Sequence, residues 1–159
     1  MFREMRLRKQ QLSAEDCISI LHKATSGVLA VSGDDGYPYA VPLSFVYRNS
    51  KIYFHGAKTG HRVDAVQNNE KASFCIIDKD LVMPEEFTTY YRSLIVFGRI
   101  CILEKEEEKT EALELLSEKY APGDEAGMKK YMEKEFKGVC VLELTVEHMT
   151  GKIASELLA

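Results

Sequence analysis

Between Ala57 and Arg62 the chain reads AKTGHR, which places two fixed cations, a hydroxyl, an imidazole and a glycine side by side. Those types suit the capture of a phosphate. Lys58 and Arg62 bring charge, Arg62 in a planar fork that matches phosphate oxygens, and Thr59 and His61 bring further donors. His55, just upstream, is a side chain that exchanges a proton near neutral pH. It suits either a proton-exchanging group or a hydrogen-bonded histidine at the end of a strand. The turn is neither a GxxxxGK[ST] loop nor a GxGxxG fingerprint. A solvated turn with ordinary surface cations would read the same way.

The flanking residues say how such a turn would be held. In Lys51 to His55, Ile52 and Phe54 alternate with Tyr53 and His55, the period of a strand. Gly56 interrupts it. Val63 and Val66 then fall on one face of a short helix ending near Asn68-Asn69. A strand, a basic glycine turn and a helix start leave the first helical N–H groups free and aimed outward, where the helix dipole favours an anion.

The other elements follow from their own patterns. Ser13 followed by Glu15 and Asp16 predicts a helix start, continued by Cys17, Ile20 and Leu21 to about Lys23. Val28 to Ser32 predicts a buried strand, and Gly33-Asp34-Asp35-Gly36 a hairpin turn. From Tyr37 to Arg48, Val41, Leu43, Phe45 and Tyr47 share one face and Pro42, Ser44 and Val46 the other. Pro42 cannot donate to a ladder, so this strand needs a free or ligand-facing side there. Asn49-Ser50 turns the chain into Lys51. Lys71 to Asp78 is a further strand, 79–92 a long loop with Pro84 and the Tyr90-Tyr91 pair, and Ser93 to Glu104 the most apolar strand, bulged at Gly98. Helices are expected at Glu106 to Tyr120 and about Asp124 to Phe136, separated by Pro122-Gly123. A last strand runs from Gly138 to Glu147, and His148 to Lys152 leaves it. Six strands in mostly hairpin order, with helices inserted, predict a mainly β, α+β domain over 1–159: a small six-stranded antiparallel closed or split barrel.

Composition narrows the function. An apolar fraction of 45% and a charged fraction of 29% are those of a soluble globular domain. No apolar run approaches the roughly 20 residues that span a bilayer, and the basic start MFREMRLRKQQ lacks the apolar stretch of a signal peptide, so a cytoplasmic location is expected. The net charge of −4 argues against nucleic acid. Cys17, Cys75, Cys101 and Cys140 show no CxxC spacing, so no metal site is expected and buried free thiols are. Arg3, Arg6, Arg8 and Lys9 suit an anion contact, an arm on a partner subunit or a solvated terminus.

Taken together, RLRKQQLSAEDCISIL, GVLAVSGDDGYPYAVPLSFVY, KIYFHGAKTGHRVDAV, YYRSLIVFGRI and HMTGK resemble the FMN-binding split-barrel family of pyridoxamine 5′-phosphate oxidase relatives, nearest its nitroimidazole-resistance branch. The likeness covers nearly the whole chain. It implies a homodimer with FMN in two shared sites, the phosphate on Lys58, Thr59, His61 and Arg62, and the ring along Val41, Pro42, Leu43 and Ser44, with His55 and Ser93 nearby. It also implies reduction or oxidation of a small molecule, nitroimidazole-type nitroaromatics included, with NAD(P)H as electron donor and His55 as the candidate catalytic residue. Two departures weigh against pyridoxine metabolism: the turn lacks a Ser-Arg-Lys pattern, and IASELLA carries no arginine motif. The rival expectation is a flavin- or haem-binding sensor without turnover, with His55, His61 or His148 as candidate iron ligands. Tyr90 and Tyr91 suit a lid or plain packing. His22 is expected to cap its helix and Glu106 to Glu108 to be a solvated helix start.

Overall fold

Alternation writes the inner wall of the molecule. Leu29, Ile52, Phe54, Phe74, Ile76, Leu94, Val96 and Leu144 are all fully enclosed, each flanked by residues that point the other way, as a pleated strand with one buried face requires. The computed structural model describes residues 1–158. Its strands are β1 (Gly27–Ser32), β2 (Pro38–Leu43), β3 (Val46–Arg48), β4 (Lys51–Ala57), β5 (Lys71–Met83), β6 (Thr88–Ile102) and β7 (Val139–Ile153). They form one antiparallel sheet in the order β2-β1-β5-β6-β7-β4-β3. Four helices accompany them: α1 (Ala14–Lys23), α2 (His61–Asn68), α3 (Glu106–Tyr120) and α4 (Glu125–Glu135).

The two edges of this sheet, β2 and β3, are consecutive in the chain. The sheet therefore rolls up and its final seam is closed by Ser44 and Phe45, with no ladder between β2 and β4. This is the expected split barrel in an α+β setting. The seventh strand arises because the run from Tyr37 to Arg48 leaves one sheet edge and joins the other. The two expected faces survive the break: Val41, Leu43, Phe45 and Tyr47 belong to the barrel core, and Val46 to a second core outside. Pro42 lies on an edge strand, paired only with β1 opposite Val28, where a missing donor is tolerated.

At the seam, side chains replace the ladder. The Tyr120 hydroxyl accepts from the Phe45 N–H at 2.8 Å and lies 2.6 Å from the Phe45 carbonyl and 2.8 Å from that of Thr25. The Lys119 ammonium donates to the carbonyls of Ala24 at 2.6 Å and Phe45 at 3.0 Å, and sits over the Phe45 ring. The end of α3 thus fastens the corner where the barrel is open. Along its length α3 buries Ala112, Leu113 and Leu116 against Val46, Val139 and Val141.

Two expectations change. The long loop at 79–92 is mostly the outer end of a hairpin: β5 continues to Met83, β6 starts at Thr88, and Pro84–Glu86 with Phe87 (φ 50°) makes the turn. Its polar alternation hid it, because neither face packs on a core. The last strand does not stop at Glu147 but runs to Ile153, with Met149 packed on the core. A bulge in the β6–β7 pairing between Phe97 and Gly98 sets this register. A Cβ at Gly98 would collide with the Thr145 carbonyl, so glycine is needed where the strands close up. Ser13 caps α1 by accepting from the Asp16 N–H at 3.1 Å.

Candidate functional site

β4 presents Ile52 and Phe54 to the core and His55 to the outer face. Past Ala57 the chain turns through Lys58 and Thr59 to Gly60, whose φ of 129° is open to glycine alone, and α2 begins at His61. No side chain caps this start, so its first-turn N–H groups remain available.

Arg62 folds back from α2 so that its guanidinium lies against Gly56; a Cβ there would occupy the same space. Its Nε is buried and has no hydrogen-bond partner. Among the described residues neither Lys58 nor Arg62 has a carboxylate partner. An unpartnered buried guanidinium nitrogen is costly unless something meets it. A third cation, Lys109, joins this end of the barrel: it is 9% exposed, and its ammonium donates to the Phe136 carbonyl at 2.5 Å. Burial, then Lys58, holds its pKa below the ordinary value. Arg62, Lys109 and Lys58 all lie close enough to Cys140 to favour its thiolate, although burial outweighs them and pushes the thiol up. This set of donors fits a phosphate monoester.

His61 points to the other side of α2. Its ring lies 4.1 Å from that of Tyr39, and its Nε2 is 3.7 Å from an Asp34 carboxylate oxygen. Thr59 is exposed beside Lys58. His55 is on the same segment as Arg62; burial, then the Arg62 charge, lowers its pKa from the ordinary 6.5, so near neutral pH the imidazole is uncharged. It lines a cavity with Ser44, between β4 and the pair α3 and α4. Val41, Pro42, Leu43 and Ser44 follow the free edge of β2 to the seam. Ser93, on β6, pairs with Ile77 and Lys152 and is not brought to His55 within the chain.

Lys119 and Lys109 went unnoticed in the sequence, where they read as ordinary members of a charged helix, and Tyr120 reads there only as the end of that helix's apolar stripe. The carbonyls that hold Lys119 and Lys109 lie far away in the chain, and no local spacing announces them. Among the described residues no three His, Cys, Asp or Glu side chains gather as a metal site, and no helix is long and apolar enough to cross a membrane. The Tyr90 hydroxyl donates to Glu86 at 2.7 Å and that of Tyr91 to Gln10 at 3.3 Å, both on the β5–β6 arm. His22 meets the Tyr47 ring edge-on. Phe2 stacks on His148, whose Nε2 is buried and unpartnered.

Residues 13–153 match the family model described as pyridoxamine 5′-phosphate oxidase. The chain belongs to that family. Solved structures of the same fold include a candidate 5-nitroimidazole antibiotic resistance protein from Bacteroides thetaiotaomicron, 23% identical, covering 90% of this chain and 86% of its own, with a TM-score of 0.77. The flavocytochrome Anf3 from Azotobacter vinelandii is 19% identical over 96% of this chain and 73% of its own, TM-score 0.82. A FAD and haem binding protein from Mycobacterium smegmatis is 22% identical over 92% and 74%, TM-score 0.78. A comparison with curated proteins finds no significant match. The barrel seen here is thus shared with a flavocytochrome and with a protein named for binding FAD and haem.

Proposed function

We propose that this chain is an FMN-dependent reductase or oxidase of small molecules, acting as a homodimer with two shared flavin sites. The observation that carries the reading is the buried, unpartnered Arg62 Nε beside Lys58 at the uncapped start of α2. Arg62 and Lys58 would hold the flavin phosphate, with the first-turn N–H groups and Thr59 completing the cradle, while the His61 ring, turned to Tyr39, stays outside it. The free edge of β2, from Val41 to Ser44, would supply backbone donors and acceptors to the ring. When bound, the flavin supplies the electron-transfer chemistry; the protein positions it and its reaction partners. As the candidate catalytic residue, His55 would hold a hydrogen bond to the reacting molecule through its neutral imidazole. A reduced nicotinamide would be the electron donor, and a nitroaromatic of the nitroimidazole type a candidate acceptor.

The dimer is supported by the outer face of the sheet. Val28, Cys75 and Ile95 stand in one cross-strand row with Phe97 in the next, and Val28, Ile95 and Phe97 remain exposed. Contiguous apolar strand surface of this kind suits a second copy. Four unbridged thiols suit a reducing compartment, and the cytoplasm is the location proposed.

The test is a visible spectrum of the purified protein, followed by titration with riboflavin, FMN and FAD. Flavin absorbance and a preference for FMN over riboflavin are expected; no uptake of any flavin would defeat the reading. A non-catalytic haem-binding role is the second reading, favoured by the unpartnered His148 Nε2 under Phe2. A Soret band in place of flavin absorbance would decide for it.

A further inference from the structure

The cavity beside His55 is walled by two helices that the flavin reading does not use. It holds about 350 Å³, a size that suits a single small organic molecule. Leu113 and Leu116 form its floor on α3, and Met128 and Tyr131 face it from α4. Ser44 and His55 are the polar groups on the β side. The lining contains no lysine or arginine. Its one carboxylate, Asp124, caps α4 by accepting from the Gly127 N–H at 2.9 Å. Tyr131 stays a neutral phenol, its pKa raised by burial and then by Glu135. Lys58, Lys109 and Lys137 line a different groove, with Phe136 and Cys140.

The two chemistries are therefore lined by different residues, anion-binding at the turn and apolar at the helices, although the Arg62 charge still reaches His55. α4 is the element that can vary the second. It buries no residue completely and is joined to α3 through Pro122-Gly123, with Gly123 at φ 79°. A further groove of about 600 Å³ is lined by α3 and α4, sharing Ser117, Ala121, Asp124 and Met128 with the first.

We infer that this cavity is the binding site for the acceptor, that it takes small, uncharged, flat molecules and turns away anions, and that Met128 and Tyr131 set the size it admits. The inference rests on the flavoprotein reading for its place in catalysis, but not for its chemistry. An apolar wall gains from a ring it covers and loses when it strips water from a charge it cannot pair. His55 and Ser44 would orient the one polar end.

The experiment is calorimetric titration of the protein, with and without FMN, using neutral 1-methyl-5-nitroimidazole and the similarly sized anion 4-nitrobenzoate. At least tenfold tighter binding of the neutral compound is expected. Met128→Trp, which fills the cavity, is expected to weaken it at least tenfold while FMN titration is unchanged. Tyr131→Ala, which enlarges it, is expected to shift preference towards the bicyclic 5-nitroindazole. Equal affinity for anion and neutral compound, or affinities that ignore both substitutions, would overturn the assignment. Failure of the native chain to take up FMN would instead defeat the flavoprotein reading, and the comparison of the two probes would still decide the cavity.

Discussion

His55 and Ser93 stand opposite different ends of one strand: His55 pairs with Val141 and Ser93 with Lys152, both on β7. About 35 Å of strand lies between those two positions. Both side chains are on the outer face, yet one protomer cannot offer them to a single small molecule. If both border the flavin, each must come from a different copy of the chain. Ile95→Glu, which places a charge in the exposed apolar row, should therefore produce a monomer and lower FMN affinity at least tenfold. Light scattering and FMN titration on the same sample check this. A monomer that binds FMN as tightly as the native protein would contradict shared sites.

The phosphate reading separates ligands by their charge. Arg62→Ala should weaken FMN by about 10- to 100-fold, the equivalent of one charge-assisted hydrogen bond worth roughly 1.5–3 kcal/mol. Riboflavin, which has no phosphate, should lose little. Lys58→Ala should show the same contrast with a smaller loss. Gly56→Ala should mimic Arg62→Ala by displacing the guanidinium, with the far-ultraviolet spectrum unchanged.

His55 offers a test that needs no ligand. Its pKa is depressed in the fold, first by burial and then by Arg62. A group of this kind leaves stability intact above its unfolded value of 6.5 and removes it as pH falls from there through the folded value. His55→Gln should lessen the loss of stability below pH 6.5, measured by urea titration at several pH values. Arg62→Ala should raise the His55 pKa only part of the way, because burial is the larger cause; NMR titration of the imidazole reads this directly.

Lys119 works at the other end of the scale. Burial lowers its pKa from 10.5 to about 8, so the folded protein holds this proton less tightly than the unfolded chain. Its contribution to stability rises as pH climbs from about 8 towards 10.5. Lys119→Met should flatten that rise, seen as a pH-dependent difference in denaturation midpoints. Tyr120→Phe should cost about 1–3 kcal/mol at every pH below the phenol's titration, because the Phe45 N–H loses its partner.

Much of the barrel can be read from period alone. The faces of Val41, Leu43, Phe45 and Tyr47 follow from alternation, and Gly98 betrays its bulge because glycine interrupts the most apolar run. The extent of α3 follows from its stripe and the Pro122-Gly123 that ends its reach. What stayed hidden depends on distant partners. Lys119 looks like any helix-end lysine until Ala24 and Phe45 are brought to it. The β5–β6 arm lacks a buried face, so nothing in its pattern says strand. At the site, the basic turn was legible because its donors are neighbours in sequence. The split between Arg62, folded onto Gly56, and His61, turned to Tyr39, was not, since it depends on how α2 is rotated.

The seam at Ser44 and Phe45 makes the wall of this barrel unequal. Elsewhere, parting two strands means unzipping a run of paired backbone groups. Here it means releasing one phenol and one ammonium from a single corner. A guest held along β2 would sit beside that corner, the one hem among the described strands that is buttoned rather than sewn.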